Sequence, residues 1–230
     1  MTVGTTISGN LIYHVRLYYK NSLHELASGN VVRYGINGYT NHAIPAYILA
    51  VASVEAFVNE TFLSFWSRIL SKDSPLWNLS KDYLEYMELS NKLILLPELL
   101  FQKSFSRDSQ PYQDMALLIK IRNIFIHYKM GQAPPKFLKS LDERGISLKA
   151  QYGSKNTDFG WTHKLSSSEA IRWVHNTACK IVQDLAGFAP EDRLKNDPFL
   201  SLAENFKIIP DSYPREWLSK KGIDPDSTNP

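Results

Sequence analysis

Arg122, Asn123 and His127 stand together in the stretch Arg122-Asn123-Ile124-Phe125-Ile126-His127. A guanidinium presents a planar fork of donors that matches phosphate oxygens. An imidazole takes up or releases a proton near neutrality, and an amide orients either partner. Together they could hold a phosphate, move a proton beside it and steady the charge that builds on phosphorus.

The surrounding pattern sets where these groups sit. From about Met115 to Gly131 the chain is a long apolar run in which Lys120, Arg122, Asn123 and His127 stand out. Gly131, followed by Pro134 and Pro135, supplies helix-stop signals. The run predicts a helix that is apolar on almost every side and therefore central in a bundle. At roughly 100° per residue Asn123 and His127 share a face, and the long stem of Arg122 brings its guanidinium round to join them. A plainer reading makes Arg122 a structural ion-pair residue and His127 a hydrogen-bonded core or helix-end histidine. Three such groups within a turn and a half of helix favour a site.

This stretch resembles the R-x(4–6)-H signature of the HEPN superfamily, with the polar residue that commonly follows the arginine. The resemblance implies an all-α, HEPN-like helical bundle and a metal-independent endoribonuclease of toxin or antiviral-defence type. It also implies a cyclic 2′,3′-phosphate product and a cleft built at a two-fold homodimer interface. Arg122, Asn123 and His127 would be the catalytic residues, with Glu55, Asn59 and Tyr128 in support. Lys103, Arg107, Lys120 and Lys129 are the basic residues expected to meet the RNA backbone. RNA is the expected partner, and an antitoxin protein is a further one; no cofactor and no metal are expected. In HEPN toxins paired with nucleotidyltransferase antitoxins a tyrosine follows the histidine after one intervening residue. Here Tyr128 follows directly, so regulation through that tyrosine does not carry over. The rival reading is a non-catalytic HEPN-like module that binds a partner protein or nucleotide.

Composition sets the frame for these readings. The chain has 230 residues, 43% of them hydrophobic, enough to bury a sizeable core. Net charge is +3, which permits nucleic-acid binding without demanding it. Cys179 is the single cysteine, so an internal disulfide and a cysteine-rich metal site are excluded. It falls in an apolar helical pattern that predicts a buried thiol. No stretch reads as a membrane span or as a signal peptide, and a cytoplasmic protein away from membranes is expected.

Along the chain, apolar spacing from Leu11 to Ala27 predicts a first helix closed by Ser28-Gly29-Asn30. Val31–Asn41 reads as a loop or short hairpin, with turn signals at Tyr34-Gly35 and Asn37-Gly38. A second helix is expected from after Asn41 to about Leu70, with Pro45 tolerated in its first turn. Within it Glu55 and Asn59 share a face, and Glu55 is the expected ion-pair partner of Arg122. The alternative is that Glu55 and Glu60 mark a solvated side. Helical spacing resumes at Tyr83 and Met87 and runs through Leu93, Leu96 and Leu100, with Pro97 forcing a kink or break. Residues 132–166 are long for a connection, and Ile146-Ser147-Leu148 suggests a short hairpin there. Ser166-Ser167-Ser168-Glu169 is an N-cap cluster opening a helix that Gly187 should close. His175, inside that helix, is expected to be structural or solvent-facing. The expected organisation is about five main helices in one domain, 1–187, followed by a proline-containing tail, 188–230. The tail is too apolar to be free, so it should pack on the bundle or a neighbouring subunit, leaving only the last few residues loose.

Overall fold

The first helix, α1 (Ile7–Ser28), buries Ile12, Val15, Tyr19, Leu23 and Leu26, the three- and four-residue spacing of a single helical stripe. Thr6 caps its start, the hydroxyl accepting from Gly9 N–H at 3.3 Å. Glu60 meets the next open donors: Oε1 accepts from Ile7 N–H at 3.1 Å and Oε2 from the Ser8 hydroxyl at 2.6 Å. A carboxylate there satisfies unpaired backbone donors and faces the positive end of the helix dipole. Gly29, at φ 71°, closes the helix in the left-handed region.

The computed structural model describes residues 6–29, 33–34, 37–38, 40–69, 86–127, 135–148, 161–190, 200–226 and 228–229. After α1 come α2 (Ala43–Ile69), α3 (Leu89–Phe101), α4 (Gln110–Ile126), α5 (Phe137–Glu143), α6 (Ser168–Phe188) and α7 (Tyr213–Lys220). Two 3₁₀ turns, Trp161–Leu165 and Leu200–Asn205, join them. Three two-residue strands, β1 (Arg33–Tyr34), β2 (Asn37–Gly38) and β3 (Thr228–Asn229), form an antiparallel sheet in the order β2-β1-β3. Arg33 pairs with Gly38 on one side and with Asn229 on the other. The fold is all-α apart from this small sheet. Asn37-Gly38, expected as a turn, is strand β2, and the chain end at Thr228–Asn229 is paired rather than loose.

Several expected features differ in the structure. α3 continues through Pro97 without breaking; Pro97 is buried with Leu93 and Leu96, so packing outweighs the missing backbone donor. α6 runs past Gly187 to Phe188. Ser167 is its cap, the hydroxyl accepting from Ala170 N–H at 2.9 Å. α5 ends at Glu143, just before Ile146-Ser147-Leu148, and the rest of the hairpin expected there lies outside the described residues. All three of those residues are buried, so no face alternates toward solvent. α2 contains a 20-residue stretch, Ala43–Phe62, long and apolar enough to cross a membrane, with mean hydropathy 1.3 and half of it buried. That corrects the expectation that no such stretch exists. Tyr47, Ala50, Val54 and Phe57 of this helix are core residues.

The chain divides into two compact units. Unit 1 comprises Met1–Ile12, Val51–Lys120 and Thr177–Lys207; unit 2 comprises Tyr13–Ala50, Ile121–Asn176 and Ile208–Pro230. In unit 1 Phe57 meets Phe206 edge-on at 5.7 Å and Phe105 meets Phe188 at 5.0 Å. Gln183 Nε2 donates to the Phe206 carbonyl at 2.7 Å. In unit 2 Tyr47 packs on Phe125 at 5.2 Å and on Trp173 at 6.4 Å, while Tyr19 meets Tyr213 at 6.2 Å. Asn176 binds Ile209 twice, donating to its carbonyl and accepting from its N–H, both at 2.8 Å.

Candidate functional site

The motif lies at the C-terminal end of α4. Met115, Leu118 and Ile121 are wholly buried at three-residue spacing, which fixes the roll of the helix. Phe125, one turn after Ile121, locks onto Tyr47. Asn123 and His127 are exposed, and Arg122 is partly so. The expected all-round burial is therefore corrected: α4 hides a narrow stripe and opens its last turn, where Ile126 is 49% exposed. α4 also ends at Ile126, short of Gly131, and His127 closes it by donating its N–H to the Asn123 carbonyl at 3.0 Å. That bond stacks residues 123 and 127 one turn apart, as their spacing predicts. Arg122 Nε is buried without a hydrogen-bond partner. Tyr128 and Lys129 lie outside the described residues.

Glu55 does not have the partner expected for it. Its Oε1 lies 3.9 Å from Lys92 Nζ on α3, and Lys92 donates to Asn59 Oδ1 at 2.9 Å. Glu55 and Asn59 thus share a face as their spacing predicts, and both serve a lysine that is 1% exposed. The physical reason is burial: an ammonium drawn into the core needs a carboxylate and an amide oxygen more than a half-exposed arginine does. The signal was present in the sequence, since Lys92 falls on the same stripe as Leu89, Leu93 and Leu96. Beside it an apolar cleft of about 30 Å³ is lined by Phe57, Val58, Phe62, Leu96 and Pro97, and the Thr61 hydroxyl there has no hydrogen-bond partner. Lys103, Arg107 and Lys120 are exposed and belong to unit 1, whereas Arg122, Asn123 and His127 belong to unit 2.

Unit 2 holds further ionisable groups away from the motif. Arg172 donates to Glu169 Oε2 from Nε at 2.9 Å and from Nη2 at 2.7 Å, and from Nη1 to Asp211. Burial pushes the Glu169 carboxyl up, and Arg172 works against that. Tyr19, buried near the pair, is raised by desolvation and then by Glu169. His42 Nε2 lies 3.2 Å from Glu25 Oε1. Among the described residues no three His, Cys, Asp or Glu side chains gather as a metal site would need.

His175 is 2% exposed, and burial pulls its pKa down to about 4, with Asn176 opposing and Arg16 assisting. An unfolded histidine protonates near pH 6.5. Between that value and about 4 the unfolded chain binds a proton that the folded chain does not. Stability is therefore full above about pH 6.5 and falls as the pH drops toward 4, by about 3 kcal/mol in all. Urea denaturation of the wild type and His175→Gln at pH 7, 5.5 and 4.5 checks this. The wild type should lose more over that range than the variant, and parallel losses would place the acid sensitivity elsewhere.

No family model, curated protein or solved structure matches the chain.

Proposed function

We propose that the protein is a metal-independent endoribonuclease of HEPN type, with Arg122, Asn123 and His127 as its active groups. The observation that supports this reading is the exposure of Asn123 and His127 on the last turn of α4, next to Arg122, whose Nε lacks a partner. A structural histidine would be drawn into bonds; Asn123 and His127 face outward from a firmly packed helix end, with the partly exposed Arg122 beside them. In this reading Arg122 holds the phosphate, His127 moves a proton, and Asn123 orients one or the other. The working unit is a homodimer, a toxin or antiviral-defence effector acting on RNA.

The test is incubation with single-stranded RNA in chelator. Cleavage should proceed, leave 2′,3′-cyclic phosphate ends, and come from a fraction that sizes as a dimer by light scattering. Cleavage only after Mg²⁺ is restored, or 3′-hydroxyl ends, would sink the mechanism. A strictly monomeric active fraction would sink the dimer.

A further inference from the structure

Unit 1 contains a cleft walled by α2, α3 and the last turn of α6. Phe57, Val58 and Phe62 line it from α2, Leu96 and Pro97 from α3, and Leu185 from α6. Thr61 and Lys92 are the polar residues of this wall. The pairs Phe57 and Thr61, Val58 and Phe62, and Lys92 and Leu96 each stand four residues apart, so each helix turns one continuous face to the cleft. The two polar residues differ in how they are satisfied. Lys92 Nζ donates to Asn59 Oδ1 at 2.9 Å and lies 3.9 Å from Glu55 Oε1. The Thr61 hydroxyl has no hydrogen-bond partner, although the residue is only 7% exposed. A threonine inside a helix commonly donates that hydroxyl to the carbonyl one turn back. Here it does not, and a buried hydroxyl left unbonded costs free energy that a suitable acceptor would recover.

Size and charge limit the occupant. The cleft, about 30 Å³ in volume, takes about two or three non-hydrogen atoms, since a single water needs about 10–15 Å³ on the same measure. It therefore receives the end of a molecule rather than the whole of one. A carboxylate brought to Lys92 would compete with Glu55, and an ammonium would be repelled by Lys92. Either charge would also give up water for an apolar wall. A neutral carbonyl oxygen needs only a donor, and Thr61 supplies one without disturbing the bond from Lys92 to Asn59. Rotation about one side-chain bond exchanges the threonine hydroxyl and methyl, so the donor can turn to meet an acceptor in the cleft.

We propose that this cleft binds the acyl end of a neutral small molecule, a ketone, ester or amide with an apolar tail, whose carbonyl oxygen accepts from the Thr61 hydroxyl. The carbon beside that carbonyl packs on the apolar wall, and the tail extends out of the cleft. Every residue of the site belongs to unit 1, and none belongs to the Arg122–His127 motif. Ligand binding here and RNA cleavage therefore stand or fall separately.

The probe is 2-hexanone, whose acetyl end matches the cleft in size, titrated into methyl-labelled protein and followed by NMR. The methyl signals of Val58, Leu96 and Leu185 should move together and saturate with one dissociation constant, while those of Val15 and Val174 in unit 2 stay in place. Thr61→Val keeps the shape of the side chain and removes the hydroxyl, so it should weaken the ketone about three- to tenfold. Its melting temperature should be no lower than that of the wild type, because the lost hydroxyl had no partner. Thr61→Ser, which keeps the donor, should retain most of the affinity. Hexanoate and hexylammonium should each bind at least about tenfold more weakly than the ketone. A folded wild type whose Val58 and Leu96 methyls stay still up to the solubility limit of 2-hexanone overturns the site. Equal affinity in Thr61→Val overturns the carbonyl contact, and hexanoate binding more tightly than the ketone overturns the neutral ligand.

Discussion

Arg122→Ala and His127→Ala are each expected to cut RNA cleavage by about a thousandfold or more, since on the proposed ribonuclease reading each removes a group that acts on the reacting phosphate. The two differ little in stability. A buried arginine stripped from its carboxylate would cost about 3 kcal/mol, but no carboxylate pairs with Arg122 among the described residues. Its Nε is already unsatisfied, so truncation loses some packing of the stem and removes a desolvated donor. The net change should stay within about 1 kcal/mol. His127 is exposed, and its loss should cost about 0.5 kcal/mol or less. Cleavage assays beside urea denaturation of the same preparations separate the two effects. Two stable and fully active variants would return the motif to a purely structural role.

The largest loss of stability is expected at Arg172. Glu169 is 7% exposed, and Arg172 is what offsets its burial. Arg172→Met leaves that carboxylate without its counter-ion at a cost of about 3–4 kcal/mol near neutral pH. Because burial holds the Glu169 carboxyl above its usual range, protonation relieves the penalty. The deficit should therefore shrink as pH falls and grow as pH rises through the raised pKa. Glu169→Gln in the same background should recover a substantial part. Asp211, whose side chain is 96% exposed, makes the control: Asp211→Ala should change stability by about 0.5 kcal/mol or less. A pH-independent Arg172→Met deficit would locate the cost in packing.

Features governed by short-range chemistry were legible in the sequence. Gly29 ends α1, Pro45 sits in the first turn of α2, and Ser167 caps α6, because each acts on the few residues beside it. Where packing competes with a local rule, the rule lost. Pro97 stays inside α3 because it and its neighbours Leu93 and Leu96 are buried, whereas Gly187, exposed and next to last in α6, marks the close of that helix to within one residue. The apolar run around the motif suggested burial on all sides, yet among its described residues only Met115, Leu118 and Ile121 lie fully inside. Hydrophobic composition tells which residues can be buried, not how many neighbours a helix end will have. The motif residues themselves were legible by type and spacing. Their exposure and the His42–Glu25 contact were not, because each depends on which helices adjoin; the burial of Lys92 was readable from its apolar stripe, though not that Glu55 would face it.

The two hydrogen bonds between Asn176 and Ile209 bear on how the chain folds. With the Tyr19–Tyr213 contact they join α6 and α1 to a segment far along the chain. Unit 2 therefore cannot form from one contiguous stretch; its loops must close before its contacts repay them. Topologies of that kind fold slowly. Refolding monitored at Trp217, which packs edge-on to His24 at 4.8 Å, should then lag behind the helical signal. A fragment ending before Ile208 would leave the Asn176 amide without its partners and α1 without α7.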